Sequence, residues 1–103
     1  MIIITATVRI QAEYHEEALA FARRHVATSR LEEGCLSHRF FEDPEHDRTL
    51  VFLEEWQDQE AIDRHFGQPH SGRFVKAFRT WCEGDLALEL HLVSRTKRIE
   101  LGA

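Results

Sequence analysis

The apolar period of this chain switches from two to 3.6 and back in the order strand, helix, strand, strand, helix, strand, and few folds accept that order in 103 residues. Ile2, Ile4, Ala6, Val8 and Ile10 alternate with Thr5, Thr7 and Arg9, which predicts a strand over 2–10. From Tyr14 to Leu31 the period is helical, with Ala18, Leu19, Phe21, Ala22 and Val26 on one face. Glu33-Gly34 ends that helix, glycine suiting the left-handed position after a C-cap. Segments 35–43 and 48–56, joined by a polar turn at Pro44, predict an antiparallel hairpin. Asp58 is placed to cap a short helix, Pro69 breaks or restarts it, and Ser71 to Cys82 is amphipathic. A last strand is expected over 85–93, where Leu86, Leu88, Leu90 and Leu92 alternate.

This order predicts one α+β domain over residues 1–103 with the ferredoxin-like, split βαβ arrangement: a four-stranded antiparallel sheet with helices on one face. Leu50 to Leu53 is apolar on both faces, and no residues remain for another layer. A domain of this size buries only roughly 60–65% of its unfolded surface. A homodimer packed sheet against sheet is therefore expected, with the tail 94–103 reaching the partner.

Composition narrows the function classes. A formal charge of −5 argues against a nucleic-acid surface, and the run Arg95-Thr96-Lys97-Arg98 is too short to reverse that. No run of 18 apolar residues spans a membrane, and Met1-Ile2-Ile3-Ile4 lacks the basic region of a signal peptide. Cys35 and Cys82 form neither a zinc motif nor a disulfide framework, so a reduced, cytoplasmic protein is expected. No glycine-rich phosphate loop is present, which leaves nucleotide and flavin without a cradle, and no cofactor is expected.

Polar residues inside apolar stripes carry the functional signal. His25 and Ser29 lie four apart near the centre of the first helix's apolar face; His65 points inward beside Ala61, Ile62 and Phe66; His38 alternates with Leu36 and Phe40. Each needs a hydrogen-bond partner or a ligand. Imidazole takes or gives a proton near neutral pH, so these are candidates for acid–base work. Glu54 shares a strand face with Phe52 and Trp56, where desolvation raises a carboxyl pKa unless a cation is near; the plain alternative is a fixed ion pair or backbone bond at the dimer contact. His65 and His70 are five apart around Pro69, not the i, i+4 spacing of zinc ligands, and no metal is expected.

The segments EEGCLSHRFFEDPE (32–45) and FLEEWQDQEAIDRHFGQPHSGRF (52–74) resemble the antibiotic biosynthesis monooxygenase domain. The family's markers are Glu-x-Gly-Cys after the first helix, Glu-x-Trp at the end of the third strand, then Ala-hydrophobic-x-x-His and Pro-His. Glu32 to Cys35, Glu54 with Trp56, Ala61 to His65 and Pro69-His70 match them in order. The resemblance implies a dimeric α+β barrel. Members of the family oxidise phenols or quinols with O2 and no cofactor, degrade haem, isomerise a small phosphorylated signal, or have no known activity. The haem-degrading Asn-Trp-His triad aligns with Thr7, His65 and Val75, so haem degradation is not implied. The strand asparagine of the antibiotic-pathway quinone formers aligns with Phe52; Trp56 alone carries over from their site.

The leading expectation is a homodimeric, cofactor-independent monooxygenase of a small phenolic or quinol substrate. His65 or His38 would deprotonate the phenol; Phe40, Phe52 and Trp56 would hold the ring; and His25 and Ser29 would bind polar substituents. His70, Phe74 and Phe78 complete the expected substrate site. One alternative is an isomerase of a small carbonyl or phosphorylated compound, with the same histidines relaying protons and Arg39, Arg64 or Arg73 holding an anionic group. Another is a non-catalytic dimer that binds a small ligand.

Overall fold

The computed structural model describes residues 1–102. Strand β1 (Ile2–Ile10) leads through a single 3-10 turn at Ala12–Tyr14 into helix α1 (His15–Ser29). Strands β2 (Cys35–Glu42) and β3 (Thr49–Trp56) form the expected hairpin. Helices α2 (Gln59–Gly67) and α3 (Pro69–Trp81) follow, then the short strands β4 (Cys82–Glu83) and β5 (Glu89–Leu92). All pairings are antiparallel in the order β2-β3-β1, and β4 and β5 pair with opposite ends of β1's other edge. This is the ferredoxin-like α+β arrangement.

The fourth position of the sheet differs from the expectation of one strand over 85–93. Residues 84–88 leave the sheet between β4 and β5, and Gly84 makes the departure with a φ of +76°. Leu86 and Leu88 turn instead to the wall of a cavity. The leucine alternation reports side-chain period but not what the backbone pairs with.

Local signals set the other boundaries. The Asp58 side chain accepts from the Ala61 N–H at 2.9 Å and caps α2. Pro69 occupies the first turn of α3, where its missing N–H costs nothing, so α3 starts two residues before the expected Ser71. Gly34 has φ +86°, and a Cβ there would sit 2.5 Å from Ala61 Cβ. The turn after α1 thus closes onto α2 only with glycine at this position.

The core lies between the sheet and the helices. Val8, Ile10, Leu50, Phe52 and Phe78 pack with Ala18, Ala22 and Val26 of α1. A second cluster joins Ile2, Ile4 and Trp56 to Ala61 and Ile62 of α2. Each large side chain fully buried here contributes on the order of 1.5–3 kcal/mol. The opposite sheet face carries Ile3, Val51 and Leu53, half-buried, and Phe41, exposed.

Candidate functional site

Where α1, α2 and α3 converge over β2 and β3, the core turns polar. His25, Ser29, His38, Glu54, His65 and Ser71 are all buried there. α1 contributes His25 and Ser29 because they lie on its apolar face; β2 and β3 contribute His38 and Glu54 as directly paired residues. α2 contributes His65 from its last turn, and the restart at Pro69 brings in His70. Glu32, in the turn after α1, joins the two helices: its Oε2 lies 2.9 Å from His65 Nδ1 and 2.9 Å from His70 Nε2. His70 Nδ1 is in turn 3.1 Å from His25 Nδ1. Glu54 Oε1 accepts from Trp56 Nε1 at 2.9 Å, and His38 Nε2 lies 3.2 Å away.

Glu54 faces the helices, so the expected ion pair at the dimer contact is found instead inside the protomer. Burial raises the Glu54 pKa, but His38 and the Trp56 N–H outweigh it and leave the carboxyl below its ordinary value. Burial lowers the His25 pKa to about 2, helped by the neighbouring His38, His65 and His70. His65 is also lowered, chiefly by burial, with Glu32 opposing. Burial first, then Glu32 and Glu54, push the Cys35 thiol up to about 11, so it is not an activated nucleophile.

A cavity of about 140 Å³ opens beside this cluster. Its walls are Phe52, Phe74 and Phe78 with Val8 and Val75, its polar lining includes His25, Glu54, His65 and Ser71, and Phe66, Leu86 and Leu88 add to the apolar lining. Phe74 stacks on His25 with centroids 4.0 Å apart.

Of the residues expected at a substrate site, His25, His65, Phe52, Phe74 and Phe78 meet at this cavity. The others lie behind or beside it. The Ser29 hydroxyl donates back to the His25 carbonyl at 2.8 Å. His38 is buried against Glu54 and Trp56. Trp56 is fully buried behind His65, with ring centroids 4.5 Å apart. Phe40 packs on Phe52 at 5.7 Å. His70 lines a surface cleft with Arg24, Thr28 and Arg73 on the far side of His25. Of the arginines considered for an anionic group, Arg39, Arg64 and Arg73 lie away from the cavity; Arg79, exposed, is the arginine of its lining. Glu32 and Ser71 were not singled out from sequence as site residues. Glu32 had a signal, since it opens the Glu-x-Gly-Cys segment, but its histidine partners lie more than thirty residues away.

Two triads have donor atoms within 4.8 Å of one another: His25, His38 and His65, and Glu32, His65 and His70. Neutral imidazoles and a carboxylate suit zinc and its neighbours. The linear spacing of His65 and His70 does not measure this proximity, because the ligand atoms come from separate elements. No helix among the described residues is long and apolar enough to cross a membrane.

Comparison with known proteins agrees with this architecture. The family model described as antibiotic biosynthesis monooxygenase matches residues 1–77. The Bacillus subtilis protein named "Putative monooxygenase YcnE" is 36% identical over 75 residues, covering 73% of this chain and 79% of that protein. An uncharacterized Synechocystis protein, sll1783, is 26% identical over 98 residues, covering 95% of this chain and 67% of its own length. A crystal structure of an antibiotic biosynthesis monooxygenase superposes with a TM-score of 0.85 at 28% identity, covering 92% of this chain and all (100%) of the other. The crystal structure of a Deinococcus radiodurans protein named "putative antibiotic biosynthesis monooxygenase" reaches 0.90 at 21% identity, covering 97% and 99%, and at that identity it speaks to the fold alone. With three quarters of its length matched by the family model and its helices and sheet in the same arrangement, this chain belongs to the antibiotic biosynthesis monooxygenase family.

Proposed function

We propose that the protein is a monooxygenase that oxidises a small phenolic or quinol substrate with O2 in the cavity between α3 and the sheet, without a cofactor. The observation that carries this is the composition of the cavity: four phenylalanines line it, and a buried, neutral-leaning imidazole, His65, stands at its polar wall. An aromatic ring fits the first, and the second accepts a phenolic proton.

The chemistry follows from the substrate's own reactivity. His65 takes the phenolic proton, and the electron-rich ring anion transfers electrons to O2 and forms a carbon–oxygen bond at a ring C–H position. Loss of that hydrogen as the O–O bond breaks yields a quinone. One oxygen atom ends in the quinone and the other in water, so phenol plus O2 balances quinone plus water. Val8, Phe52 and Phe78, the buried part of the walls, keep bulk water from the anion on that side. Glu32, bonded to His65 Nδ1, steadies the imidazolium that forms.

The test is O2 consumption with a panel of hydroquinones and naphthols in the presence of a chelator. His65→Ala is expected to lower kcat by about 10²- to 10⁴-fold, the ordinary contribution of general base catalysis. Turnover that persists in His65→Ala, His38→Ala and His25→Ala alike would rule this mechanism out. The isomerase alternative calls for a cation at the ligand, and Arg79 at the cavity favours it to that extent; turnover under argon would establish it. We further propose that the protein works as a homodimer through the uncovered sheet face.

A further inference from the structure

The proton positions on three of the histidines follow from a single carboxylate. Glu32 Oε2 lies 2.9 Å from both His65 Nδ1 and His70 Nε2. An ionised carboxylate only accepts, so both ring nitrogens must donate. A neutral imidazole carries one N–H. With both rings neutral, His65 holds its proton on Nδ1 and has a lone pair on Nε2, whereas His70 holds its proton on Nε2 and has a lone pair on Nδ1. That Nδ1 lies 3.1 Å from His25 Nδ1, a separation at which one nitrogen donates and the other accepts. With His70 as acceptor, His25 donates from Nδ1 and is left with a lone pair on Nε2.

The consequence falls on the cavity, because His25 and His65 both line it. His65 carries its lone pair on Nε2, on the side of Glu54, and His25 carries one on its own Nε2. Glu54, the third polar group there, brings a carboxylate, and its Oε1 lies 3.9 Å from His65 Nε2. Two acceptors facing each other at that distance make no bond and repel. A hydroxyl hydrogen placed between them relieves this, whereas an anion adds to it. Ser71 and Arg79 are the remaining polar residues of the lining, and Arg79 is exposed to solvent.

We infer that Glu32 is a positioning residue that sets the tautomers of His65, His70 and, through His70, His25, so that the cavity presents acceptors and selects an uncharged, hydrogen-bond-donating aromatic ligand of the dihydroxybenzene class over an anionic one. The ligand class rests on the proposal that this cavity is the substrate site; the tautomers do not.

The experiment is a two-bond 1H–15N correlation spectrum of the labelled full chain, which distinguishes Nδ1–H from Nε2–H at each ring, together with binding of 4-methylcatechol and benzoate measured anaerobically. His65 and His25 are expected as Nδ1–H and His70 as Nε2–H. Glu32→Ala removes the oxygen that accepts from both rings, so the Nδ1–H of His65 and the Nε2–H of His70 lose the partner that fixes them and at least one ring shifts tautomer, and 4-methylcatechol affinity falls about tenfold, one lost hydrogen bond. Glu32→Asp, which keeps the carboxylate, retains the wild-type tautomers and most of the affinity. Nε2–H on His65 or His25 in the wild type, or unchanged tautomers in Glu32→Ala, would overturn the role of Glu32. Benzoate binding as tightly as 4-methylcatechol would overturn the selectivity. Intact tautomers and selectivity in a protein that consumes no O2 would sink the monooxygenase proposal while leaving this inference standing.

Discussion

His25 is the residue whose charge state is most constrained by its place in the fold. Burial, then the neighbouring His38, His65 and His70, hold its pKa at about 2, against 6.5 in an open chain. Burial also lowers His65. Below about pH 6.5 the unfolded chain therefore binds protons that the folded one refuses, and each proton of difference costs about 1.4 kcal/mol of stability per pH unit. Glu54, with its depressed pKa, acts in the same direction lower on the scale: its contribution is present above the ordinary carboxylate range and is lost as pH falls through its folded value. The urea midpoint is expected to stay level from about pH 8 to 7 and to fall steadily between about pH 6.5 and 4.5, with a shallower fall in His25→Gln. A midpoint level down to pH 5 would mean that the imidazoles protonate without unfolding the chain. The inward direction of His25, Ser29 and His65 was legible from helical periodicity, since that depends on local spacing. Their mutual contacts were not. Glu32 meets His65 and His70 only because the Gly34 turn and the Pro69 restart bring three elements together, and no local pattern encodes such a meeting.

At the scale of elements, the turn after α1 does more than end a helix. Gly34 combines a left-handed backbone with near-contact on Ala61, and it sits two residues from Glu32, so its conformation sets where that carboxylate points. Gly34→Ala is expected to cost at least about 2 kcal/mol, from left-handed strain together with the overlap at α2. A urea titration measures this, and in the same variant the His65 ring resonances should shift as Glu32 moves away. An unaltered midpoint would show that the turn relaxes freely and does not register Glu32. Element types and order were legible nearly throughout, because periodicity and punctuation by Asp58 and Pro69 act within a few residues; α1 differs in ending at Ser29 with Arg30 as its C-cap, so the left-handed Gly34 shapes the following turn and does not cap the helix. The exception is 84–88. Its leucines alternate as a strand would, yet Leu86 and Leu88 serve the cavity, a demand set by α3 and β1 far along the chain. Local pattern and tertiary demand conflict there, and the tertiary demand prevails.

The whole molecule leaves one layer uncovered. β1 and β3 turn Ile3, Val51 and Leu53 to the side of the sheet away from the helices, with Phe41 of β2 beside them. A contiguous apolar patch in the middle of a sheet is the surface a stable monomer avoids. The flanking Arg9, Arg39 and Glu55 supply the polar rim that an interface carries. The segment after β5 adds Ile99 and Leu101, both largely exposed in the single protomer. A second copy related by a two-fold axis covers such a patch with an identical one, which needs no further partner. Light scattering should therefore give twice the chain mass. Leu53→Arg places a charge at the centre of the proposed contact while the β3 backbone ladder, which does not depend on that side chain, stays paired. It is expected to yield a folded monomer with wild-type circular dichroism. Truncation after Val93 is expected to weaken the dimer without abolishing it, since Ile99 and Leu101 add area at its edge. If Leu53→Arg remains dimeric, the sheet face is not the contact, and the half-buried Val51 and Leu53 would have to be accounted for within the protomer alone.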